Sequence, residues 1–553
     1  VQREDYLTRL DARYDPVARM PWCRASGPGY HTRIPDGTPA HQTREAADYA
    51  IALLQDGGAE RVARAHDVLT ALVDLQVTDP RSEHHGIWGW FLEEPPERMA
   101  PADWNWADFI GVRLAQVLAA HGDALDAPLR ARVRDALRHA ARAIVRRDVG
   151  PAYTNIAVMG AVVTAAAGEL LDERALLDYG RRRLGAVLAL LRETDGFTEY
   201  NSPAYGRVVL EELERAALAV TDPSFTATAR TLREHTWAAL AERFHPGTGQ
   251  LAGPVSRGYH DWLRPELADY LAARTGAAIA AREGTATEPS LVPPLPCPPA
   301  VARRFRALPA DPLELRSRFA SSADTPAGGD TVGTSWFTED ACLGSVNEEF
   351  AWTQRQVLLG YWRTSRDPAV RLRARMLLNG HDLSAAWCRQ VQHGPRVLSA
   401  WWLSYDSGDF HPELDRPAGS VFRVRELRLR VGLRGRGVTA RPLGRGRFAL
   451  CAGDRRAVVH TADAEFLGRT ASWQAVVDGD EARIEVVLHA GPPRDVDFHH
   501  ARLRAAFALE LLAGGEPHRD APLTRAPDGG TDLRWHWDDL AVTVPDHPTP
   551  FRR

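Results

Sequence analysis

From Thr43 to about Ala273 the apolar residues recur every three or four positions, the spacing of a helix with one buried face. The pattern predicts helices at Thr43–Leu54, Ala59–Leu75, Trp106–Ala120, Leu129–Arg146, Asn155–Leu171, Ala175–Leu191, Pro203–Val220, Ala227–Phe244 and Trp262–Ala273. Short loops join them in pairs. Asn105, Asn155 and Asn201 stand at the first helix of successive pairs, in NWADFIG, TNIAVMG and YNSPAYG, roughly 50 residues apart. A two-helix repeat of that size predicts a stacked or closed α/α array over residues 41–286; if it closes into an α/α toroid, the polar starts of its inner helices gather around one mouth.

After Pro312 the period changes to two. Strands are predicted at Thr331–Thr338, Gln356–Trp362, Arg396–Tyr405, Val421–Val431, Arg447–Cys451, Ala457–Thr461, Ala471–Val477, Ala482–His489, Ala505–Leu511 and Ala541–Val544, separated by Gly, Asp and Pro clusters. A run of helices followed by a run of strands gives segregated α and β domains, here the helical array followed by an antiparallel β-sandwich over residues 313–553, in one large unit or two stacked sheets. Residues 1–40, rich in aromatics, Pro and Gly, read as an irregular arm, and the proline-dense stretch 287–312 reads as a linker.

Composition narrows the function. At 553 residues the chain exceeds one ordinary core, and 44% apolar with 25% charged residues is a globular balance. The net charge of -4, with no basic run, favours neither nucleic acid nor an anionic membrane as partner. Every basic residue is Arg, which excludes a Schiff-base lysine and a Walker-type phosphate loop. Five scattered cysteines without a CxxC pair lean toward a cytoplasmic protein, or a secreted one if Val1 follows a removed leader. The pairs His84-His85, His260-Asp261 and His499-His500 lack the spacing of a metal site, and no dinucleotide or serine-elbow motif occurs, so neither metal nor cofactor is expected. A homo-oligomer stays open.

Candidate chemistry concentrates at the helix starts. Ser202-Pro203 is an N-cap followed by Pro at the first helical position, which presents Glu199, Tyr200, Asn201 and Tyr205 on the preceding turn and first turn. Trp88, Trp104, Asn105, Trp106 and Asp108 bring indole faces and polar groups together, a combination that suits a sugar subsite or, equally, a plug between paired helices. In the polar loop before the last helix, Arg257, Tyr259 and His260 are suited to an anionic group. The β region adds Trp352, Gln354 and Tyr361 in one polar-aromatic stretch, and His381 and His393 in another.

Paired helices, a proline-rich connection, a long antiparallel domain, an Asn at one helix start and a Tyr about 50 residues later resemble the polysaccharide lyases of the heparinase II/III-like and oligoalginate lyase group. The resemblance implies β-elimination on a uronate-containing poly- or oligosaccharide. It places Asn155 as neutraliser of the uronate carboxylate and Tyr205 as base and acid, with a further group from the β domain such as Gln354, Tyr361 or His393. Ile156 stands where the group usually has His after the Asn. In chemical terms, Arg207 or Arg257 would supply the cation that a base tyrosine needs. Two alternatives remain: a glycoside hydrolase using Glu199 with Asp108, Asp195 or Asp261, and a glycan-binding protein without turnover.

Overall fold

The computed structural model describes residues 3–321, 329–528 and 531–551. Helices pair as the periodicity predicts: α1 (Arg3–Asp11), α2 (Thr43–Asp56), α3 (Ala59–Asp74), α4 (Trp106–His121), α5 (Ala127–Arg147), α6 (Thr154–Leu170), α7 (Arg174–Glu193), α8 (Pro203–Ala219), α9 (Pro223–Arg243) and α10 (Pro265–Thr275). Side-chain size sorts the pairs into two rings. Helix α6, TNIAVMGAVVTAAAGEL, is buried on nearly every face and sits inside against α4 and α8. Its partner α7 buries only one stripe, from Leu176 to Leu191, and stays outside. Gly168 and Gly180 let this pair approach closely, because a Cβ on Gly168 would lie 2.4 Å from the backbone nitrogen of Leu177.

Helix α8 turns charged residues into the ring. Glu212, Glu214 and Arg215 are buried, and each is matched: Arg215 bonds Gln116 at 2.9 Å and also Glu212, while Arg274 grips Glu214 through two 2.7 Å bonds. Buried charge is tolerable only with such partners.

The chain before α2 is less irregular than its composition predicts, since α1 and two short antiparallel ladders, Tyr14–Asp15 with Met20–Pro21 and Cys23–Arg24 with Pro39–Ala40, organise it. Nor does the proline-dense stretch hang free. The Leu291 carbonyl accepts from Gln55 of α2 and Gln116 of α4, Cys297 bonds the carbonyl of Arg274, and Phe305 is buried against Trp237 and Phe244.

The β domain is a sandwich of two large antiparallel sheets. One runs in the order Glu348–Phe350, Ala386–His393, Arg396–Leu403, Leu503–Leu512, Arg455–Thr461, Arg447–Ala452 and Thr439–Gly444. The other runs Trp473–Asp478, Glu481–Asp497, Val421–Arg434, Val370–Leu378, Leu358–Trp362, Ala341–Val346, Thr331–Phe337 and Leu313–Ala320. Alternation assigns the faces. In Arg396–Leu403, Val397, Trp401 and Leu403 enter the core between the sheets, while Leu398, Ala400 and Trp402 meet a small third sheet through Trp535 and Trp537. That explains the continuous apolar run VLSAWWL: this strand is covered on both sides.

The second sheet docks on the toroid. Phe337, Cys342, Leu359 and Tyr361 pack against Ala252, Val255 and Trp262. Gly344 makes the approach possible, because a Cβ there would fall 1.8 Å from the carbonyl oxygen of Gly253. Val255 and Gln356 exchange backbone bonds of 3.1 and 2.8 Å, so the loop before α10 is laid on the sheet like a short extra strand.

Candidate active site

Two neighbouring turns are locked together at this docking seam. Asn201 adopts a left-handed backbone, φ 51°, and its amide donates to the carbonyl of Pro254 at 2.8 Å. Ser202 accepts from the Tyr205 backbone at 3.1 Å, capping α8 as its sequence predicts, and donates to the Arg257 carbonyl at 2.7 Å. The residue that starts the helix therefore also places Arg257. From the β side, Gly258 donates to the Gln354 carbonyl at 2.5 Å.

The side chains that follow from this converge. The Tyr205 and Tyr259 hydroxyls are 2.5 Å apart, and Arg257 donates from Nη2 to the Tyr205 oxygen at 3.0 Å. The Arg257 guanidinium lies between the rings of Tyr205, 5.2 Å, and Trp352, 4.9 Å. Burial pushes the Tyr205 phenol up from its ordinary pKa, and the Arg257 cation pulls it back toward ionisation. Tyr259 keeps 45% of its surface open, so the pair is reachable from the cavity.

Behind them, Glu199 accepts from both the backbone and the side-chain amide of Asn155, at 3.0 and 2.7 Å, and faces Arg257 at 3.8 Å. A carboxylate at the N-terminus of α6 is favourably placed for the helix dipole. Burial raises the Glu199 pKa, opposed by Arg257 and the two Asn155 bonds. Asn155, expected to meet a substrate carboxylate, is thus committed to Glu199 and only 2% exposed.

These groups open on a cavity of about 1690 Å³ walled by the helix starts, the arm and the β domain. Of the predicted site residues, Asn155, Glu199, Tyr205, Arg257, Trp104, Asn105, Trp106, Tyr200, Tyr259, His260 and Gln354 line it. Tyr200 does so as framework, its ring stacked on Phe319 at 4.4 Å and its hydroxyl bonded to Glu349 at 3.3 Å. Tyr361 reaches the wall, but its hydroxyl is held by the Asp261 carbonyl.

Three predicted binding residues are corrected. Trp88 is wholly buried in the toroid core, with its indole nitrogen on the Leu72 carbonyl. Asp108 is enclosed between α4 and α6, where desolvation raises its pKa to about 7. Asn201 serves the turn rather than the cavity. His393 lies beside Asp539, away from the seam. Neither Asp195, bonded to the Arg318 backbone at 2.9 Å, nor Asp261, paired with Arg371 at 2.5 Å and Arg434 at 2.9 Å, borders the cavity.

The arm, irregular by its composition, contributes cavity residues that no local sequence pattern marks. Tyr30 accepts from the Gln354 amide at 3.1 Å and packs its ring against His411, and His31 stands against Trp90, so the arm bridges toroid and β domain over one side of the cavity. In sequence the cluster Gly27-Pro28-Gly29-Tyr30-His31 signals only a turn.

A family model described as a domain of unknown function, DUF8769, matches residues 22–273. No curated protein sequence matches the chain. Among solved structures the chain is similar to heparinase III, at 10% identity over 99% of this chain and 90% of that one, with a TM-score of 0.42. It is also similar to the heparan sulfate lyase HepC from Pedobacter heparinus, at 10% identity over 98% of this chain and 93% of that one, with a TM-score of 0.37.

Proposed function

We propose that the protein is a lyase that cleaves a uronate-containing oligo- or polysaccharide by β-elimination, with Tyr205 as the proton-transfer residue. The observation that carries the reading is the Tyr205 hydroxyl held between Tyr259 and Arg257 on the cavity wall. As phenolate, Tyr205 takes the proton alpha to the uronate carboxylate. The electron pair of that C–H bond becomes the ring double bond while the neighbouring carbon–oxygen bond breaks. The proton then passes from Tyr205 to the departing glycosidic oxygen. Arg257 favours both the phenolate and the negative charge that builds on the substrate carboxylate. Asn155 acts one step back, fixing Glu199 and through it the charge balance around Arg257.

The hydrolytic reading needs a second carboxylate across the sugar from Glu199. Of the carboxylates expected in that role, Asp195 and Asp261 are engaged outside the cavity, Asp108 is enclosed between α4 and α6, and Glu199 itself is tied to Asn155. The test is a panel of uronate and neutral glycans incubated with the wild type and Tyr205→Phe. Unsaturated products from the wild type alone support the reading; saturated products one water heavier would replace it with hydrolysis.

A further inference from the structure

One wall of the cavity is a row of rings that ends in a cation. His31 lies 5.3 Å from Trp90, Trp90 stacks on Trp106 at 5.0 Å, and Trp106 meets Phe109 edge-on at 5.3 Å. Above Phe109, at 4.7 Å, sits the guanidinium carbon of Arg44, from the first turn of α2. All five residues border the same cavity as Tyr205.

Arg44 is half-buried on the cavity wall, beside charges that are matched to one another. Asp48 is taken by Arg113 through bonds of 2.7 and 2.9 Å, and Glu211 by Arg207 at 3.0 Å. Asp48, Glu288 and Glu211 are within electrostatic range of Arg44. Among the described residues Arg44 has its contact with Phe109 and neither a hydrogen bond nor an ion pair. Burial and the nearby Arg113 both work against its charge. A planar donor fork left open toward a cavity is matched by an oxyanion, and the aromatic row beside it by a sugar ring.

We propose that Arg44 and the Trp90–Trp106–Phe109 wall form a second glycan subsite that recognises a carboxylate or sulfate on a sugar unit other than the one reacting at Tyr205. This rests on the lyase reading for its substrate class and adds to it that the substrate carries negative charge on more than one unit. The subsite selects polyanionic chains over those with a single acidic sugar.

Binding separates this from catalysis. The full-length wild type, Arg44→Gln, Arg44→Lys and Tyr205→Phe are titrated with a hexuronate tetrasaccharide and its methyl-esterified counterpart, following tryptophan emission and heat of binding. Affinity of Arg44→Gln for the acid form falls about 10- to 100-fold, the range for a lost bond to a charged group. Arg44→Lys loses less, Tyr205→Phe keeps wild-type affinity, and the ester binds the wild type as weakly as the acid binds Arg44→Gln. Competition by inorganic sulfate stronger than by acetate assigns the subsite to sulfated units, and the reverse to uronates. Undiminished binding of the acid form by a folded Arg44→Gln, or the absence of salt-sensitive binding in the wild type, overturns the proposal. Should the wild type bind but turn over no uronide, the lyase reading fails while the subsite stands.

Discussion

Arg257 donates from Nη2 to the phenolic oxygen of Tyr205 across 3.0 Å, and its guanidinium carbon lies 5.2 Å from the centre of the same ring. The cation is held there by its own backbone, since the Ser202 hydroxyl that caps α8 also grips the Arg257 carbonyl. Helix start and the Arg257 loop therefore share one anchor, and the phenol cannot lose its cation without a change in the turn that carries it.

The pH dependence of the proposed elimination follows from this pair. Burial raises the Tyr205 pKa, while Arg257 and the hydrogen bond from Tyr259 lower it, and Glu199 raises it. A base must be deprotonated, so kcat/KM rises with pH through the apparent pKa of the hydrogen-bonded Tyr205–Tyr259 pair. Arg257→Gln removes a lowering influence, so the rising limb moves to higher pH, and kcat/KM at neutral pH drops about 10²- to 10³-fold. Tyr259→Phe moves the limb the same way by less. A pH–rate profile of the three proteins checks both the sign and the order.

Glu199→Gln separates positioning from acid chemistry. The substitution sets an amide opposite the two Asn155 donors and leaves the buried Arg257 without its facing carboxylate. Stability falls by about 2–3 kcal/mol, the scale for lost bonds to a buried charged group, as read from urea unfolding. Whatever activity remains still yields unsaturated products. Residual activity giving saturated products instead would make Glu199 part of a hydrolytic pair.

Asp108 offers a test of the helical scaffold independent of the reaction. Its folded pKa, about 7, lies above that of the unfolded chain, so the unfolded state releases the proton first as pH rises. Asp108 then subtracts from stability increasingly between about pH 4 and pH 7, and by a constant amount above that. Asp108→Asn removes the penalty and gains on the order of 4 kcal/mol at pH 8, with a smaller gain at pH 5. Thermal unfolding at the two pH values measures the difference; an equal gain at both would mean that Asp108 does not titrate in this range.

The helices were legible because each carries a complete local signal. Ser202-Pro203 caps and starts α8, Asp222-Pro223 does the same for α9, and the small residues of α6 mark an inner helix. Strands whose local pattern is mixed were not. In Val370–Leu378, VRLRARMLL, the sequence shows arginines where a half-buried strand would show any polar residue; the structure buries Arg371 and Arg373 and pairs them with Asp261 and Asp382.

The candidate site divides in the same way. Tyr205, Arg257 and Tyr259 stand at a helix start and in a polar loop, where local rules flag them. That Asn155 serves Glu199, that Tyr30 reaches Gln354 and that Arg44 makes neither a hydrogen bond nor an ion pair among the described residues are facts about residues more than 40 positions apart or about missing contacts. No local pattern encodes them. Trp88 and Trp104 look alike in sequence, and only packing sends one to the core and the other to the cavity.

The central claim is that Tyr205 moves the proton in an elimination. Its most direct measurement is the mass of the products that the wild type and Tyr205→Phe release from a uronate oligosaccharide under conditions where both bind it. The account predicts unsaturated fragments from the wild type and at least a 10²-fold slower release from a folded, substrate-binding Tyr205→Phe. Unsaturated fragments at an undiminished rate from Tyr205→Phe, or fragments heavier by one water from the wild type, would contradict it.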